Sequence, residues 1–141
     1  MRLPVIFDDS FQLLANATAA LVTSGTATLE TALIGTPQVA MYRMNGSKWV
    51  YRFYSLLIKG KYVTLPNLIT DSTVIPELLL HHCSVDNVDT MLTPLLDDNS
   101  QERENMLSGY SRLRNTLGNL NCAEQTAESI VRKLKEQHQK L

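Results

Sequence analysis

Short apolar runs of strand length alternate with segments of helical spacing along the first part of the chain, and helical spacing alone continues after that. Ala19-Ala20-Leu21-Val22-Thr23 is one such run, stopping at Ser24 and Gly25, and Pro37-Gln38-Val39-Ala40-Met41-Tyr42 is another. Both have the continuity of buried parallel strands bounded by turn residues. Between them Ala27, Leu29, Ala32, Leu33 and Ile34 supply a helical apolar face, and Gly35 is placed to close the helix at its C-cap. The spacing predicts a βαβ unit. Its first turn leaves backbone N–H groups and the positive end of a helix dipole where an anion can sit.

The same pattern predicts a strand over 3–7 that ends at Asp8 and Asp9, then a helix capped by Ser10 and carrying Phe11, Leu13, Leu14 and Ala17. After Tyr42 a loop leads to Ser47, an N-cap candidate for an aromatic-rich helix that holds Trp49, Phe53 and Tyr54, is flanked by Lys48, Arg52, Lys59 and Lys61, and ends at Gly60. A strand is predicted over 62–65, stopped by Pro66-Asn67 because the residue before proline favours extended geometry. A helix over 74–82 follows, introduced by Asp71 or Ser72, with Pro76 tolerated in its first turn. From about residue 84 the chain reads as helices only, starting near Ser84, Asn99-Ser100 and Cys122. The order βαβαβαβ followed by helices predicts an α/β domain, a Rossmann-like parallel sheet flanked by helices. Ligands bind such sheets at the carboxyl ends of the strands, so Asp8-Asp9, Ser24-Gly25-Thr26 and Pro66-Asn67 are expected to share one edge.

Composition narrows the class without changing this picture. A chain of 141 residues, 44% apolar, is long enough for one domain and short for two, so residues 1–141 are expected to form a single unit. A net charge of −1 gives no global attraction to nucleic acid. Cys83 and Cys122 lack CxxC or Cys/His metal spacing and read as packing or surface thiols in a reducing compartment. His81 and His82 adjoin on a helix end and point apart, so contact with terminal carbonyls is expected there rather than a metal. The first residues carry one arginine and soon reach Pro4, Asp8 and Asp9, unlike a secretory signal, and no run approaches the ~20 apolar residues that span a bilayer.

Candidate chemistry concentrates at the first joint. Gly25 permits a tight turn and close approach of an oxygen-rich ligand, while Ser24, Thr26 and Thr28 add hydroxyl donors. Glu30 lies four residues after Thr26, one turn along the same face, where a carboxylate can accept two hydrogen bonds from a cis diol. The turn has no lysine, which excludes a GxxxxGK[ST] phosphate loop. An ordinary N-cap followed by a solvated glutamate fits the same residues. Other functional classes remain open from the residues alone. Asp8-Asp9 after an apolar run looks like the acidic pair of a signalling receiver, although no aspartate ends the later strands. The Trp49–Tyr54 aromatics with their basic neighbours suit a core, a protein interface or an anionic membrane surface.

The run Ser24-Gly25-Thr26-Ala27-Thr28-Leu29-Glu30 through Gly35-Thr36-Pro37, with Tyr42-Arg43-Met44 and Tyr62-Val63-Thr64-Leu65-Pro66-Asn67-Leu68, closely resembles the C-terminal half of lipid-A-disaccharide synthases. Pro76-Glu77-Leu78-Leu79 and Ala123-Glu124-Gln125 fit as well, and Leu80 departs from the glutamine of many members. The resemblance implies the C-terminal, donor-binding half of a two-domain GT-B glycosyltransferase fold. In that family an inverting hexosyltransferase moves 2,3-diacylglucosamine from UDP-2,3-diacylglucosamine to 2,3-diacylglucosamine 1-phosphate. It further implies that Ser24, Gly25, Thr26 and the neighbouring amides hold the diphosphate and Glu30 the ribose, that Thr28 belongs to the same nucleotide-sugar site, that Asn67 lines the cleft, and that Arg43 is either a phosphate ligand or a structural ion-pair residue. No cofactor or metal is implied. The catalytic base and acceptor pocket are expected on an N-terminal domain outside these residues, leaving the isolated chain inactive. Cytoplasmic location, peripheral contact with the inner membrane face and a possible homodimer complete the expectation.

Overall fold

The apolar runs on either side of the Gly25 and Gly35 turns become neighbouring parallel strands in a computed structural model, which describes residues 4–23, 25–42, 61–118 and 122–138. Helix α1 (Ser10–Ala15), strand β1 (Ala20–Thr23), helix α2 (Thr26–Ile34) and strand β2 (Gln38–Tyr42) come first. Helix α3 (Leu65–Thr70) and strand β3 (Glu77–Leu79) follow, then helix α4 (Val85–Leu92), helix α5 (Gln101–Leu117) and helix α6 (Cys122–His138), with single 3-10 turns at Leu80–His82 and Thr93–Leu96. The sheet has the order β1-β2-β3 and is parallel throughout, Ala20 lying opposite Gln38 and Ala40 opposite Glu77. This is an α/β, Rossmann-like arrangement. Parallel pairing puts the carboxyl ends of β1, β2 and β3 at Thr23, Tyr42 and Leu79 along one edge.

The core joins the sheet to α2 and α5 through Ala32, Val39, Ile75, Leu78, Tyr110 and Leu113, and Ile69 of α3 packs against it. Helix α2 buries Thr28, Thr31 and Ala32, and Leu33 is exposed, so the expected apolar face is only partly the buried one. Small residues let α2 approach closely, and the threonine hydroxyls stay satisfied by donating to Gly25 O and Ala27 O at 2.8 and 2.7 Å. Helix α5 anchors the far end of α2: Arg114 donates to Leu33 O at 2.9 Å and the Tyr110 hydroxyl to Thr36 O at 3.1 Å.

Three predicted elements differ. Residues 4–9 form no strand, leaving Val5 and Phe7 71% and 80% exposed, and the N-cap of α1 is Asp9, with no side-chain cap bond, rather than Ser10. Residues 62–64 pair with no strand, and Pro66-Asn67 lies inside α3 instead of stopping a strand. The segment predicted as a helix over 74–82 is instead strand β3, ended where Leu80 adopts a left-handed φ of 54°. Pairing with β2 wins over helical spacing in a stretch that begins Val74-Ile75-Pro76. The aromatic helix expected around Trp49 lies outside the described residues.

Burial pushes the Tyr110 phenol well above its usual value, opposed in part by the hydrogen bond from Gln38. The folded state therefore holds this proton more tightly than the unfolded chain. The associated stability is fully present below the ordinary phenol value of about 10 and is lost as pH rises above it. Unfolding free energies from urea denaturation at pH 8 to 11 should fall above pH 10 more steeply in the parent than in Tyr110→Phe, by about 1 kcal/mol per pH unit. Parallel slopes would contradict this origin.

Candidate site at the start of helix α2

Strand β1 delivers the chain to the carboxyl edge, and Gly25 turns it into α2. Gly25 is the N-cap, with φ 107° and ψ −151°, a mirror image of extended backbone open in practice only to glycine. A Cβ built there meets nothing within 4 Å among the described residues. Among the described residues no side chain caps the helix, and with Thr28 N donating to Gly25 O at 3.2 Å, the N–H groups of Thr26 and Ala27 are the ones left without an intrahelical acceptor. Thr26 is exposed beside them, and Glu30 is exposed one turn along. The arrangement presents oriented backbone donors and a hydroxyl to an anion, with a carboxylate about 6 Å further along the helix axis.

The predicted residues are not all brought to this surface. Gly25, Thr26 and Glu30 share it. Thr28 does not: it is fully buried, and its hydroxyl is spent on Gly25 O, stabilising the turn from inside. Asn67 is also fully buried. Its Oδ1 accepts from Val74 N at 2.7 Å and Ile75 N at 2.9 Å, while Nδ2 donates to Ile75 O and to Glu77 Oε1, each at 2.9 Å. It stands at no strand end and organises the segment behind the sheet edge. Ser24 and Arg43 lie outside the described residues. Asp8 and Asp9 are exposed and follow no strand, and among the described residues no group of His, Cys, Asp or Glu side chains is arranged to hold a metal.

Two features went unnoticed in the sequence. Glu77 collects Val63 N, Thr64 N, the Thr64 hydroxyl and the Asn67 amide on one carboxylate, at 2.7–3.2 Å. It thereby holds the turn into α3, whose N-cap Thr64 makes no side-chain cap bond of its own. A groove of about 490 Å³ also opens between α1 and α2, with Glu30 in its lining. The sequence carried no local signal for it, because the exposure of Phe11 and Leu33 is seen only in the fold.

The family model described as lipid-A-disaccharide synthetase matches residues 2–133. Lipid-A-disaccharide synthase of Pseudomonas paraeruginosa (strain DSM 24068 / PA7) is 37% identical over 122 residues, which cover 86% of this chain and 30% of that protein. The synthase of Psychromonas ingrahamii (strain DSM 17664 / CCUG 51855 / 37) is 35% identical over 127 residues, 89% of this chain and 32% of the relative. That of Pseudomonas putida (strain GB-1) is 35% identical over 136 residues, 96% and 34% respectively. The chain spans about a third of the length of these curated relatives.

Proposed function

The chain belongs to the lipid-A-disaccharide synthase family, and we propose that residues 1–141 are the donor-binding part of such a glycosyltransferase, acting in lipid A biosynthesis. The observation that carries this reading is the uncapped start of α2 at Gly25, with exposed Glu30 one turn beyond it. Backbone N–H groups there, with Thr26 and Ser24, hold the diphosphate of UDP-2,3-diacylglucosamine. Glu30 accepts the ribose hydroxyls, and Arg43 adds a cation to the cleft. Thr28 and Asn67 act from behind, one fixing the turn and the other the segment next to it.

Transfer to 2,3-diacylglucosamine 1-phosphate requires a base and an acceptor wall that this chain does not supply, since both reactants must be oriented and water excluded. The purified chain should therefore form no disaccharide from the two lipid substrates, and measurable product would refute the assignment of catalysis elsewhere. Residual donor binding is expected: UDP should shift the amide signals of Gly25 and Thr26 saturably, with affinity reduced about tenfold in Glu30→Ala as a charged hydrogen bond is lost. A flat titration removes the reading. Among the described residues no helix is long and apolar enough to cross a membrane. The lipid substrates favour peripheral contact at the cytoplasmic face. The half-exposed Ile130, Val131 and Leu134 of α6 favour packing against the rest of the enzyme or a second copy.

A further inference from the structure

We propose that a second groove, between α5 and residues 73–76 at the amino edge of the sheet, binds an amphiphile made of one acyl or alkyl chain and a single anionic head, with the head on Arg112. This groove is separate from the start of α2. Helix α5 crosses the amino edge: Arg103 donates to Thr18 O at 2.6 Å just before β1, Met106 Sδ accepts from Gln38 N at 3.3 Å at the first residue of β2, and Gly109 packs against Val74 shortly before β3. The N-terminus of α2 lies at the other edge, one strand length or about 15 Å away.

The groove measures about 580 Å³, inside the range of small-ligand sites. Its two sides differ in chemistry. The floor and one wall are apolar, from Val74, Ile75, Pro76, Met91, Pro94 and Met106, and the two thioether side chains adapt to a flexible chain. The other wall is α5, where Asn105, Ser108 and Arg112 follow at i, i+3 and i+7 and so share a face. All three are exposed. Among the described residues the Arg112 guanidinium and the Ser108 hydroxyl make no hydrogen bond or ion pair, and Asn105 spends only its Oδ1, which accepts from Gln101 Nε2 at 3.1 Å. The polar wall is thus a row of unused donors.

Charge gives the groove a direction. Glu102 lies on the same wall ten residues before Arg112, about 15 Å along the helix, and its carboxylate is unpaired among the described residues. The contact of Gly109 with Val74 sets the Arg112 end beside residues 73–74. Arg103 donates to Leu95 O at 2.8 Å, which sets the Glu102 end beside Pro94 and Leu95. An anion is attracted at the first end and repelled at the second. A ligand with one negative group therefore seats it against Arg112 and Ser108 and lays its apolar body toward Met91 and Pro94. A cationic head meets Arg112, and a second anionic group at the far end meets Glu102, so neither fits.

The test uses the 141-residue chain with labelled amides and methionine methyl groups, titrated below micelle concentrations with decanoate, decyl phosphate, decanol and decyltrimethylammonium. Decanoate and decyl phosphate should shift the Met91 and Met106 methyl signals and the Ser108 and Arg112 amides saturably, without moving Gly25 and Thr26. The tighter of the two tells a fatty-acid carboxylate from the phosphate of a phosphorylated lipid. Decanol should bind about tenfold more weakly, and the ammonium more weakly still. Arg112→Met keeps the length and apolar stem of the side chain, so it should weaken both anions about tenfold and leave decanol unchanged. Arg112 is exposed, and an unchanged melting curve is expected. Met91→Ser on the facing wall should weaken the anions and decanol alike, whereas Glu102→Gln should leave the anions at least as tight as in the parent. The proposal falls if decanol binds as tightly as decanoate or if Arg112→Met binds the anions as the parent does. It also falls if the shifts do not saturate and appear equally at Ile130 and Leu134 of α6, which would be adsorption to exposed apolar surface. If decanoate moves Gly25 and Thr26 instead, the anion has gone to the start of α2 and the groove assignment is overturned.

Discussion

Replacing Asn67 with alanine is expected to lower the free energy of unfolding by about 4 kcal/mol, a large part of the stability of a domain this size. The side chain is fully buried and every polar atom on it is engaged. Its removal leaves Val74 N and Ile75 N without their acceptor, and Ile75 O and Glu77 without one donor. Each stranded buried group costs about 1–3 kcal/mol, partly relieved where water enters the space. In urea denaturation the midpoint should drop with little change in slope. A loss below about 1 kcal/mol would show that Asn67 is not the organising residue of this segment. Asn67→Asp separates the hydrogen-bond role from the shape. It retains the acceptor for Val74 and Ile75 but sets a second carboxylate against Glu77, where the amide now donates at 2.9 Å. That variant should be as unstable as the alanine one near neutral pH and recover as acid protonates one carboxyl group. A double-mutant cycle with Glu77→Gln should show coupling above about 1 kcal/mol.

The Asn67–Glu77 pair also explains where sequence reasoning stopped. The β1–α2–β2 unit was legible because each signal is local: apolar runs of strand length, a turn glycine before the helix and Gly35 in left-handed geometry after it. Helix α3 and strand β3 were not, and both failures have one cause. Helix α3 has Thr64 at its N-cap and Pro66 in its first turn, but the Thr64 side chain makes no local cap bond and the turn into the helix is held by Glu77, distant in sequence. Strand β3 forms through its pairing with β2, and Asn67 fixes the segment before it by accepting from Val74 N and Ile75 N, neither of which is a local signal. Each segment borrows its hydrogen bonds from the other.

The site was legible to the same extent. Gly25, Thr26 and Glu30 appear on one surface because helical spacing alone determines it. Thr28 and Asn67 carry ligand-like side chains that the fold consumes internally, and no local pattern separates a hydroxyl aimed at a ligand from one aimed at its own backbone.

Gly25→Ala is expected to cost about 2 kcal/mol of stability and to weaken UDP about thirtyfold or more. The cause is backbone geometry alone. At φ 107° and ψ −151° a side chain is strained whatever the space, and here the new methyl group meets nothing within 4 Å among the described residues. The turn relieves the strain by rotating, which swings the first N–H groups of α2 away from the anion they would hold. Gly35 is the control. It also has positive φ, 105°, but its ψ of 12° lies in left-handed helical geometry that asparagine tolerates. A Cβ there meets only the end of the flexible Arg114 side chain at 3.3 Å. Gly35→Asn should therefore cost under about 1 kcal/mol and leave UDP affinity within about twofold. Melting curves and UDP titrations of the two variants side by side make the comparison. Gly25→Ala binding UDP as the parent does would move the diphosphate away from α2, whereas a loss confined to Gly25 ties binding to the conformation of one turn.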